Sequence, residues 1–129
     1  MTKVLVVDDH RDSADSLGQV LKTLGYDASM AYDGLEAVAI SKTAHPDVVI
    51  LDIEMPVMDG FNAARLLRSM APVTLIALTA MAGADIEAKT IAAGFDFYLS
   101  KPADIDLLLS ILHSVANPPG TAAALEAVV

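Results

Sequence analysis

The chain has 129 residues with no cysteine, 54% hydrophobic residues and a formal net charge of −9. That length suits one domain burying about two thirds of the surface its extended form would expose, and the lack of cysteine removes disulfides, thiolate metal sites and cysteine nucleophiles. Eight scattered Lys and Arg residues argue against direct nucleic-acid binding, which needs clustered cations, and no apolar run or leader pattern predicts membrane insertion, so cytoplasm is the compatible compartment.

Lys3 to Val7 reads as a buried strand closed by two acids, Asp8 and Asp9. Asp12 stands where an N-cap belongs, with Asp15 three residues on, and Ala14, Leu17, Val20, Leu21 and Leu24 recur with helical spacing until Gly25. Tyr26 to Tyr32 alternates as an edge strand does. Asp33-Gly34-Leu35-Glu36 opens a second helix that must end before His45-Pro46, because the residue preceding proline avoids helical angles. Val48 to Leu51 is short, apolar and rich in β-branched residues, a strand buried on both faces, and Asp52 follows as an exposed acid at its carboxyl end. Pro56 and Asp59-Gly60 stop the strand, and Asp59 is a plausible N-cap for a third helix carrying Phe61, Ala64 and Leu67 on one stripe.

Val73 to Leu78 is again continuously apolar and ends on Thr79-Ala80. A helix from about Ala84 to Ala93 stops at Gly94, Phe95 to Leu99 is the fifth strand, and Ser100-Lys101-Pro102 follows. Ile105, Leu108, Leu109, Leu112 and Val115 line the last helix, which Asn117-Pro118-Pro119-Gly120 terminates. Residues 1–116 are therefore expected to form the domain and 117–129 a flexible tail or linker stub.

Strands alternating with helices predict an α/β fold, a doubly wound five-stranded parallel sheet with helices on both faces. The flavodoxin-like order 2-1-3-4-5 needs just five strands and leaves Tyr26 to Tyr32 at an edge. Its switch point lies between strands 1 and 3, so Asp8, Asp9 and Asp52 converge in one crevice. Each carboxylate pair at about 4 Å costs roughly 4 kcal/mol at an effective dielectric near 20. Lys101 cannot balance three charges, so a bound divalent ion is the economical completion. Hard oxygen ligands select Mg²⁺ or Mn²⁺ over zinc, and Mg²⁺ commonly shares its shell with phosphate. A carboxylate nucleophile can form an aspartyl phosphate, with the ion, Lys101 and Thr79 stabilising the phosphoryl oxygens.

Val-Val-Asp-Asp, Leu-Asp-Ile-Glu-Met-Pro-Val-Met-Asp-Gly, Ala-Leu-Thr-Ala and Tyr-Leu-Ser-Lys-Pro, in that order, resemble the receiver domain of two-component response regulators over about residues 3 to 116. The resemblance implies Asp52 as phosphoacceptor, Asp9 as a direct Mg²⁺ ligand with Asp8 alongside, and Glu54 as a ligand through its backbone carbonyl. It also implies that Thr79 and Lys101 contact the phosphoryl group, that Tyr98 is the switch aromatic, and that the Lys101-Pro102 bond is cis. The phosphoryl donor would be a histidine kinase or a histidine phosphotransfer protein, and a downstream protein would read the surface of helix 4, strand 5 and helix 5. Such a domain catalyses only its own phosphorylation and dephosphorylation. Nothing after Val115 suggests a DNA-binding output, so a stand-alone receiver and a piece of a larger protein such as a hybrid kinase both remain open.

Each residue also has a plainer reading. Asp8 or Asp9 alone could cap a helix, Lys101 could be solvated, Thr79 could merely end a strand, and Tyr98 could be a half-buried strand aromatic. His10, His45 and His113 share no ligand spacing. Two other activities fit parts of the pattern. A haloacid-dehalogenase-like phosphatase uses an aspartate and Mg²⁺ but expects a second aspartate where Glu54 stands. A flavin-binding module would want a Ser/Thr/Gly-rich phosphate loop where Asp8-Asp9-His10 would repel the phosphate.

Overall fold

The computed structural model describes residues 2–55, 58–81 and 83–116; the predicted turn proline Pro56 and the predicted tail, 117–129, lie outside them. The element order is β1 (Lys3–Val7), α1 (Arg11–Thr23), β2 (Asp27–Ala31), α2 (Gly34–Ala44), β3 (Val48–Asp52), α3 (Gly60–Met70), β4 (Thr74–Thr79), α4 (Ala84–Ala93), β5 (Phe97–Ser100) and α5 (Ile105–Ala116). The strands form one parallel sheet in the order β2-β1-β3-β4-β5.

Period-two alternation splits the strand side chains between two cores. Leu5, Val7, Val49, Leu51, Leu75 and Ala77 meet Ala37 of α2, Ala63, Ala64 and Leu67 of α3 and Ala93 of α4. On the opposite face Val4, Val6, Val48, Ile50, Ile76 and Leu78 meet Ala14 and Leu21 of α1 and Leu108, Ile111 and Leu112 of α5. β3 is buried throughout because it is covered on both faces and flanked on both edges. Register then places the chemistry: Val7 lies beside Leu51, Asp52 beside Leu78, and Thr79 beside Ser100, so the residues that follow β1, end β3 and β4, and follow β5 all arrive at one edge.

Two of the three predicted caps form. Asp33 accepts from the Glu36 backbone N–H, and Asp59 from that of Asn62. Asp12 does not cap α1. The Asp8 carboxylate accepts the His10 backbone N–H and turns the chain early, so α1 starts at Arg11 with His10 as its cap, and Asp12 falls in the first turn, where its charge faces the positive end of the helix dipole. β5 starts two residues later than expected. Phe95 is spent capping α4, its N–H reaching the Thr90 carbonyl past Gly94 at φ 98°, and the Asp96 carboxylate is tied to Leu75 N–H and Arg68. α2 ends at Ala44 as expected, with His45 in the left-handed region.

Candidate functional site

Asp52 is not the exposed acid that a strand end suggested: it is 2% exposed. The reason is tertiary. The helix α3 returns over the end of β3 at Gly60, whose N–H bonds the Ile53 carbonyl, and a Cβ on Gly60 would lie 2.6 Å from the Asp52 carbonyl oxygen. Only glycine permits that approach. The carboxylate is held at both oxygens, Oδ1 accepting from Glu54 N–H at 3.1 Å and Oδ2 lying 3.1 Å from Lys101 Nζ. Burial raises its pKa above the ordinary carboxylate value; Lys101 and the Glu54 N–H pull it down, and the neighbouring charge of Asp8 adds to the rise.

Lys101 is delivered by β5, which is fixed to β4 by its own N–H on the Thr79 carbonyl, and the Lys101-Pro102 peptide is cis as expected. Its ammonium also donates to Asp8 Oδ2 at 3.4 Å. Burial works against its charge, but the hydrogen bond to Asp52 and the charges of Asp52 and Asp8 prevail and raise its pKa. Asp8 is buried, and its other oxygen takes the His10 N–H at 2.9 Å. Asp9 Oδ1 is out of contact with solvent and has no hydrogen-bond donor among the described residues. The His10 ring nitrogen Nδ1 lies 3.5 Å from both acids. One ligand atom from each of Asp8, Asp9, His10 and Asp52 falls within 4.8 Å of the others. His10 was not singled out by spacing, and only its adjacency to the acids hinted at this position.

These residues fit a hard divalent cation. Asp8 and Asp52 share the ammonium of Lys101, while Asp9 beside them keeps an oxygen without a hydrogen-bond donor among the described residues. An apolar groove lined by Leu17, Val20, Pro102 and Ile105 runs up to Asp8 and Lys101 between α1 and α5.

On the β4 side the side chain of Glu54, whose backbone carbonyl the resemblance offers as a metal ligand, takes partners of its own. Its Oε1 accepts from the fully buried Thr79 hydroxyl at 2.7 Å and from Ala80 N–H at 3.2 Å. The Thr79 bond is the first cause of a lowered Glu54 pKa. Thr79 Oγ1 in turn accepts from Met81 N–H at 3.0 Å, and the Met81 carbonyl accepts from the Tyr98 hydroxyl at 2.7 Å. A hydrogen-bonded path thus joins the site to Tyr98, whose ring packs half-buried against the α2–α4 core.

Known proteins resemble this chain in sequence and in fold. Residues 4–113 match the family model of the response regulator receiver domain. The chain is 38% identical over 118 residues to the sensor protein EvgS of Escherichia coli, covering 88% of this chain and 10% of that protein. It is 36% identical over 122 residues to the transcriptional regulatory protein PrrA of Mycobacterium leprae, covering 94% and 52%. The chain therefore spans about half or less of the length of these curated relatives. The solved structure of the chemotaxis protein CheY4 of Vibrio cholerae superposes with a TM-score of 0.83 at 33% identity, covering 89% of this chain and 98% of that one.

Proposed function

The chain belongs to the response regulator receiver family, the signalling domain of two-component systems, and from that premise we propose that Asp52 is its phosphoacceptor. The observation that carries this reading is the setting of the Asp52 carboxylate: buried at a strand end, held at both oxygens, and flanked by acids that leave room for a cation. The donor would be the phosphohistidine of a histidine kinase or a histidine phosphotransfer protein. An Asp52 oxygen attacks phosphorus, the O–P bond forms, and the P–N bond breaks with its electrons returning to the imidazole.

Asp9, Asp52 and the backbone carbonyl of Glu54, with Asp8 alongside, would hold Mg²⁺, Mn²⁺ being the alternative. A divalent ion bound there supplies positive charge toward the phosphoryl oxygens. Lys101 stands against Asp52 Oδ2 and offers its ammonium to the incoming phosphoryl group. The Thr79 hydroxyl, one residue along β4 from the partner of Asp52, would follow.

Phosphorylation takes Asp52 from one negative charge to about two and adds three acceptor oxygens. Movement of Thr79 toward them would free the Met81 segment and let Tyr98 turn inward, altering the α4-β5-α5 surface, where Ile91, Phe97 and Leu107 are exposed. A downstream protein would read that change. No described helix is long and apolar enough to cross a membrane, and we place the domain in the cytoplasm, where such kinases phosphorylate.

Mass spectrometry after incubation with acetyl phosphate and Mg²⁺ tests the reading. The wild type should gain one phosphoryl group and keep it long enough to be seen, with no gain in Asp52→Asn or without a divalent ion. Rapid turnover of the donor would point to a phosphatase, and full labelling of Asp52→Asn would overturn the assignment.

A further inference from the structure

We propose that the Glu54 side chain is the resting-state partner of the Thr79 hydroxyl, and that it sets how readily this domain switches because a phosphoryl group on Asp52 must take that hydroxyl from it. This rests on the reading of Thr79 and Tyr98 as the switch pair and adds a positioning residue to it. Thr79 has one O–H to donate, and Glu54 Oε1 holds it at 2.7 Å. It cannot serve Glu54 and a phosphoryl oxygen together. The acceptor is a carboxylate, so the bond is of the stronger, charge-assisted kind, and the same oxygen also holds Ala80 N–H, which clasps the start of the loop after β4.

Phosphorylation acts on this clasp from both sides. The new oxygens attract the hydroxyl, while the added negative charge on Asp52 repels the Glu54 carboxylate, whose own backbone N–H is bonded to Asp52 Oδ1. Once Thr79 Oγ1 moves, the Met81 N–H loses its acceptor, and Met81 is the residue whose carbonyl anchors the Tyr98 hydroxyl. Glu54 therefore holds the far end of the path that keeps Tyr98 in its resting position. Thr79 is fully buried while Glu54 is exposed, so the carboxylate stands between the hydroxyl and solvent.

The test compares wild type, Glu54→Gln, Glu54→Ala, Thr79→Ala and the Glu54→Ala/Thr79→Ala double variant by NMR of the Tyr98 ring and the Met81 amide, first metal-free and then with beryllofluoride at saturating Mg²⁺. Without metal, Glu54→Ala should move both signals from their resting positions, and Glu54→Gln, which keeps a neutral acceptor, should move them less. The beryllofluoride midpoint should fall about tenfold in Glu54→Ala, the scale of one hydrogen bond to a charged group. In the Thr79→Ala background, Glu54→Ala should change neither signal. Unchanged Tyr98 signals in Glu54→Ala overturn the proposal, and so does an equal effect of Glu54→Ala with and without the Thr79 hydroxyl. Failure of the phosphoacceptor reading would look different: the wild type would bind no beryllofluoride at any Mg²⁺ concentration, while the metal-free arm would still decide on Glu54.

Discussion

Two charged clusters sit at opposite edges of the same sheet and are built on opposite principles. At the amino edge, Arg68 from the last turn of α3 donates to the carbonyls of Val73 and Gly94 and pairs with Asp96 at 2.6 Å, while Asp96 also accepts the Leu75 N–H. One cation meets one anion, and their hydrogen-bonding groups are spent on chain segments entering β4 and β5. At the carboxyl edge, Asp8 and Asp52 converge on Lys101 with Asp9 beside them, and Asp9 Oδ1 is left without a hydrogen-bond donor among the described residues. The balanced cluster can only hold structure together. The unbalanced one costs stability in isolation and therefore has free energy to gain from a cation or a phosphoryl group, which is how a site differs from a brace.

The comparison is broken most directly at Asp9. Excess Mg²⁺ at about 100 times its dissociation constant should stabilise the wild type by about 2.7 kcal/mol, and Asp9→Ala should lose most of that protection while melting normally in the presence of a chelator. Equal Mg²⁺-dependent shifts in the two proteins would remove Asp9 from the ligand set. Arg68→Ala should do the reverse. The ion pair is more than a third exposed and worth little by itself, but with the two carbonyl bonds its loss should cost about 1–2 kcal/mol in urea unfolding, with Mg²⁺ affinity unchanged; a weakened affinity would mean that the two edges are not independent.

The smallest effect has the most telling sign. Burial raises the Asp52 pKa, so the protonated form favours the fold. That favourable contribution is complete below the ordinary carboxylate value and is lost as pH rises through the raised one. Metal-free Asp52→Asn should therefore be more stable than wild type at neutral pH, by about 1 kcal/mol or less, and the advantage should vanish in acid. Calorimetry in chelator across that range checks it, and a destabilised variant at neutral pH would show that the Lys101 pair outweighs the burial of Asp52.

Much of the fold could be read from the chain because its causes are local. Apolar runs broken by acids marked the strand ends, Asp33 and Asp59 cap helices through N–H groups three residues away, and Gly94 ends α4 where a left-handed residue is needed. Even the convergence of Asp8, Asp9, Asp52, Thr79 and Lys101 on one edge followed from strand order, since every parallel strand delivers its last residue to the same side. What depended on contacts between distant segments could not be read in this way. The burial of Asp52 is decided by Gly60 closing over β3, and the early start of α1 by the bond from Asp8 to His10 N–H. The pairing of Arg68 with Asp96 spans 28 residues and that of Thr79 with Glu54 spans 25. A side chain as long as glutamate can reach several partners from one backbone position, so its sequence neighbours place the backbone of Glu54, and only the pairing of β3 with β4 brings up Thr79 and Ala80 as the groups its carboxylate holds.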